Sequence, residues 1–145
     1  MPKFNFELDV RDPPAKVMEA HLDFSERRPE IWPNLTARLY EVHEVGEGRA
    51  DITEGTALPG LDIWERCTYE WTDSVVRMVL TDGRIFRAGG TVEMRVEPRG
   101  SGSRIHLDYH RRSKTFVGRT VGALFQLTGG APIKSSLLKV HGRPE

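Results

Sequence analysis

A chain of 145 residues and 16.4 kDa has the length of one ordinary domain and can bury about two-thirds of its unfolded surface in a single core. With 38% hydrophobic and 29% charged residues and ordinary glycine and proline, it falls outside the disordered, collagen-like and low-complexity classes. Its 21 basic and 21 acidic side chains cancel, which removes the overall positive field that holds nucleic acid, and its single cysteine, Cys67, excludes an intrachain disulfide or a multi-cysteine zinc site.

Charge is balanced overall but not along the chain. Residues 1–108 carry 14 basic and 20 acidic side chains, and residues 109–145 carry 7 basic and one acidic, so a segment of +6 follows a body of −6. A basic terminal segment either packs on an acidic body or faces an anionic ligand, protein or membrane surface. No apolar run approaches the roughly 18 residues of a membrane span, and residues 1–10 alternate instead of forming a signal-peptide core. The expectation is a cytoplasmic protein, monomer or homodimer, with no transmembrane segment and at most a transient membrane contact.

In chain order, Phe4, Phe6, Leu8 and Val10 alternate with polar residues, the period of a half-buried strand. Asp12 before Pro13-Pro14 supplies an N-cap and a preset first turn, and Val17, Met18 and Leu22 give the following short helix one apolar face. A second helical piece starts at Ser25, is interrupted by Pro29 and ends near Trp32-Pro33. From Thr36 to about Arg112, about six strands rich in Val, Ile, Tyr and Thr are separated by turn signals such as Gly46-Glu47-Gly48, Pro59-Gly60 and Gly100-Ser101-Gly102. Connections this short make antiparallel neighbours. After Lys114 the period becomes helical through Phe116, Val117, Val121 and Leu124, and Gly129-Gly130-Ala131-Pro132 breaks or kinks that helix before Ile133, Leu137 and Val140 resume it.

The order predicts an α+β fold, a curved antiparallel sheet of about seven strands wrapped around a long C-terminal helix, with two short helices after the first strand. The apolar space between sheet and helix is the natural ligand site. Alternation puts Ile63, Glu65, Cys67, Tyr69 and Trp71 on one inward face, and Leu107, Tyr109 and Arg111 on another. Val117, Val121, Leu124 and Phe125 are expected to close the space from the helix, with Trp32 and Leu35 plugging one end. Glu65 and Arg111 then become polar groups in an apolar interior beside the Tyr69 and Tyr109 hydroxyls. They form either a structural ion pair or groups that orient a ligand and move its protons.

Other chemistries find little support. His106 and His110, four apart, would chelate a metal on a helix but lie roughly 13 Å apart on a strand. His21, His43 and His141 stand far from one another and from Cys67 in sequence, so no metal is expected. A Gly-x-Ser-x-Gly string is absent and Cys67 sits mid-strand without a histidine, which leaves no nucleophile. Gly46-Glu47-Gly48 leads into a strand, so no helix terminus holds a nucleotide, and no cofactor is expected. Gly118 and Gly122, four apart, have the spacing that lets a partner helix approach closely.

Three strings, Phe24-Ser25-Glu26-Arg27-Arg28-Pro29-Glu30-Ile31-Trp32-Pro33-Asn34-Leu35, Ile63-Trp64-Glu65-Arg66 and Tyr69-Glu70-Trp71, resemble the bacterial polyketide cyclase/dehydrase and lipid-transport branch of the SRPBCC (START-like) superfamily. The resemblance runs from Phe4 to about Val140. It implies a helix-grip fold with a hydrophobic ligand tunnel over a single domain, residues 1–145, needing neither metal nor nucleotide. It implies a small hydrophobic ligand, lipid or polyketide-like, and leaves three activities open: binding or transport of that ligand, its cyclisation or dehydration with Glu65, Tyr109 and Arg111 as candidate catalytic residues, or protein and membrane interaction through the basic C-terminal helix.

Overall fold

In the computed structural model, which describes residues 3–144, the alternating first segment is strand β1 (Lys3–Val10). Helices α1 (Pro14–His21) and α2 (Arg28–Ile31) follow, then a single 3-10 turn at Ala37–Leu39. Pro13 and not Asp12 occupies the N-cap of α1, with no side-chain cap, and Asp12 instead turns toward the C-terminus of the chain. Pro29 lies in the first turn of α2, where its missing N–H has no helical partner to lose, so it begins this helix and does not interrupt it.

The strand-rich segment forms β2 (Glu41–Gly46), β3 (Arg49–Leu58), β4 (Leu61–Trp71), β5 (Val75–Gly83), β6 (Thr91–Arg99) and β7 (Gly102–His110). All six are antiparallel meander neighbours, and β1 returns beside β7, giving one seven-stranded sheet in the order β1-β7-β6-β5-β4-β3-β2. Its two edge strands do not pair with each other, so the sheet curves without closing. Helix α1 packs on β6 and β7, and the terminal helix lies against β1.

The predicted terminal helix is divided. Helix α3 (Phe116–Leu127) ends at Gly129 and Gly130, and α4 (Ala131–His141) starts anew with Gly130 as its N-cap. Gly130 has φ 83°, a conformation costly for any side chain, and its Cα lies directly under the rings of Phe4 and Phe6. The break is therefore built into both the backbone and the packing. Gly118 permits a close approach, as its spacing foreshadows, but the partner is the Ile85 carbonyl and not a second helix. The core gathers around Ile52, Cys67, Leu80, Ile85, Ile105 and Leu137. Among the described residues no helix is long and apolar enough to cross a membrane.

Candidate functional site

Residues at even positions of β3 and odd positions of β4 share the concave face of the sheet, so Ala50, Ile52 and Glu54 stand beside Glu65, Cys67 and Tyr69. Register places Glu54 directly opposite Glu65. Like charges opposed on one sheet face repel, and each carboxylate here has its own arginine.

Arg111 follows β7 and is only 2% exposed. Its Nη2 donates to Glu65 Oε2 at 3.2 Å, and its guanidinium lies 5.4 Å from the Tyr109 ring centre. Its Nε–H and Nη1–H groups are buried and have no acceptor among the described residues. A buried donor without an acceptor costs about 1–3 kcal/mol, more when charged, so these donors mark where an acceptor atom would be strongly held. Burial opposes the charge of Arg111, but the Glu65 carboxylate together with the acidic groups of Tyr109, Cys67 and Tyr69 raises its basicity, and the guanidinium stays protonated.

Arg28, in the first turn of α2, serves Glu54. Its Nε donates to Glu54 Oε2 at 2.9 Å, Nη1 to the His21 and Asp23 carbonyls at 2.9 and 3.0 Å, and Nη2 to the Tyr69 hydroxyl at 3.3 Å. The Tyr69 hydroxyl in turn donates to Glu54. The Tyr40 hydroxyl, within electrostatic reach of both charges, is buried and has no partner among the described residues. Burial first, and the glutamates second, push the Tyr69 phenol and the Cys67 thiol up, and burial also raises Tyr109, so all three are neutral at physiological pH. Cys67 is thus an enclosed thiol with no nucleophilic character.

A third cluster joins the two ends of the chain. His141, the last residue of α4, sits with Nε2 3.2 Å from His21 Nε2 and Nδ1 3.5 Å from the Asp12 carboxylate, and Trp32 packs on both rings while donating to the Ala20 carbonyl at 3.1 Å. Burial lowers the basicity of both histidines, most for His21, where His141 adds to the effect. A histidine whose folded pKa lies below its unfolded value of about 6.5 leaves the unfolded chain binding more protons, so its stabilisation is complete above that value and fades as pH falls through it. The thermal midpoint should therefore drop between about pH 7 and pH 5, and His21→Asn should flatten that slope. The depressed carboxylates Asp9, Asp51 and Asp62 act only lower, below their ordinary 3.8. A slope unchanged in the variant would place the sensitivity elsewhere.

Of the predicted lining residues, Trp32, Cys67, Tyr69, Leu107, Tyr109 and Arg111 are buried, and Leu35, Ile63, Glu65, Trp71, Val121 and Phe125 are half-buried. Val117 and Leu124 do not belong with them. The Gly118–Gly122 face of α3, with Val121 and Phe125, turns to the sheet, so Val117 and Leu124 point to solvent. Where an apolar cavity is expected, Cys67, Ile105 and Leu107 are enclosed by their neighbours. Two depressions of about 380 and 390 Å³ lie on the surface, one at Arg87, Arg112, Ser113 and Arg119, the other around Arg38 and Asp62. Among the described residues no three metal-binding side chains converge.

Arg28, Glu54 and the His21–His141 pair escape the sequence reading. Glu54 was accessible to it, since Ala50-x-Ile52-x-Glu54 continues one inward face, whereas Arg28 sits in a charged string that reads as solvent-facing. His21 and His141 are 120 residues apart, and only the fold unites them.

No protein-family model and no curated protein matches the chain. Solved structures do. The chain is similar to TTHA0849 from Thermus thermophilus, with 20% identity over 97% of this chain and 94% of that one and a TM-score of 0.75. It is similar to the Zhui aromatase/cyclase from Streptomyces sp. R1128, with 14% identity over 94% and 91% and a TM-score of 0.70. A START superfamily protein from Mycobacterium smegmatis follows at 13% identity, 95% and 98%, and 0.69. At these identities the likeness establishes the fold.

Proposed function

We propose that this chain, sharing the START-like helix-grip fold of aromatase/cyclase and START superfamily structures, binds one small hydrophobic ligand carrying an acidic or carbonyl head in the interior between sheet and terminal helices. The observation that carries the reading is Arg111, a buried guanidinium with two donor nitrogens that find no acceptor among the described residues. A carboxylate or enolate oxygen would accept from one of these donors, and Cys67, Leu107, Tyr109 and Phe125 would surround the apolar body. Entry requires α3 to lift between Thr115 and the Gly129–Gly130 break. Residues 1–145 act as one ligand-binding domain.

Catalysis on the same ligand is the second reading, and the opposed Glu54 and Glu65 favour it. Two carboxylates in different surroundings, one locked by Arg28 and Tyr69, the other open on one side to Arg111, give a base and a stabiliser without metal or nucleotide.

Native mass spectrometry of the purified protein, followed by solvent extraction, tests the binding reading. It should find one apolar molecule per chain with an acidic or carbonyl group, or, after delipidation, one decanoate taken up per chain. A chain that carries nothing and takes up neither decanoate nor an apolar fluorescent probe would refute it.

A further inference from the structure

Helix α3 is apolar on both sides. Opposite the glycine face that meets the sheet, Phe116 is 80% exposed, Leu124 54% and Leu127 87%, with Thr120 and Ala123 between them. Three large apolar side chains exposed along some 18 Å of one helix are more than scattered surface residues account for.

Beside the first turn of this helix lies a second, independent feature. Arg87, Arg112 and Arg119 line one depression of about 380 Å³, and among the described residues none of them has an acidic partner. The first turn of α3 contains no acidic residue either. Cations at a helix N-terminus oppose the macrodipole, so the cluster does nothing for the helix and leaves its positive potential unneutralised.

We propose that α3 and these three arginines form a docking surface for an anionic phospholipid bilayer, with lipid phosphates in the arginine depression and Phe116, Leu124 and Leu127 pressed among the acyl chains. The shape selects this occupant. The stripe is a convex ridge, which enters the headgroup boundary of a bilayer, whereas a peptide needs a groove to fill. A second copy would bring two sets of unpaired arginines together across a two-fold axis. The inference stands apart from the interior ligand, since these side chains are exposed and Arg111 is buried.

Sedimentation with phosphatidylcholine vesicles, with and without phosphatidylglycerol, is the test. The protein should bind the phosphatidylglycerol vesicles, lose that binding as salt is raised, and bind pure phosphatidylcholine far more weakly. Changing Arg87, Arg112 and Arg119 together to serine should weaken binding roughly hundred-fold, and Phe116→Ser with Leu127→Ser roughly tenfold or more. All five side chains are on the surface, and an unchanged thermal midpoint confirms that the variants fold. Equal binding to both vesicle types, or to neither, overturns the proposal. So does a dimer in analytical ultracentrifugation that Phe116→Ser dissociates, or arginine-dependent binding of inorganic phosphate without vesicle binding.

Discussion

Replacing Arg28 with alanine is expected to remove about 3–5 kcal/mol of folding stability, among the largest losses any single substitution can cause. Arg28 is 4% exposed, and its guanidinium donates to Glu54, to two backbone carbonyls at the end of α1 and to the Tyr69 hydroxyl. Without it a half-enclosed carboxylate stays opposite Glu65 with only Tyr69 as donor, and two carbonyls lose their partners. Arg28→Lys should restore a part, because an ammonium cannot spread over four acceptors as the planar fork does. Changing Arg28→Met and Glu54→Leu together should cost less than Arg28→Ala alone, since an apolar pair leaves no stranded charge. Urea unfolding measures all three. A loss below about 1 kcal/mol for Arg28→Ala would reduce the pair to the rank of a surface salt bridge.

The second large effect concerns Arg111. Arg111→Met keeps the length and apolar bulk of the side chain and removes its donors, and it should weaken decanoate binding by about 2–5 kcal/mol, at least roughly thirty-fold. Decanol should bind the wild-type chain about as weakly as decanoate binds the variant, and the variant should scarcely distinguish the two, which is the signature of a direct contact in a double-mutant cycle. Stability should suffer less than at Arg28, because Glu65 keeps access to water on one side. Undiminished preference for decanoate in Arg111→Met would move the head group to another part of the interior.

Strand order, the break in the terminal helix and the inward faces of β4 and β7 were legible because period-two alternation and glycine or proline turns are local signals. The Glu65–Arg111 meeting follows from two such faces turned to one interior. The orientation of α3 was not legible. Val117 and Leu124 are as apolar as Val121 and Phe125, so hydrophobicity alone does not say which of them is buried, and the small Gly118–Gly122 face wins because Gly118 lets the backbone reach Ile85. Val117 and Leu124 were misplaced for that reason. Arg28 was hidden because its acceptors come from α1, β3 and β4 together, a convergence no single stretch of sequence displays. The apolar space between sheet and helix was read from the bent sheet and the one long helix, and its expected lining residues Cys67, Leu107 and Tyr109 are buried.

The most direct test of the account is the Nε–H resonance of Arg111 in a heteronuclear NMR titration with decanoate, assigned by its loss in Arg111→Met. One equivalent of decanoate should shift that resonance downfield and slow its exchange with water, with the Arg28 Nε–H left in place. An Arg111 signal that stays unchanged while decanoate binds would contradict the claim that this buried guanidinium receives the ligand.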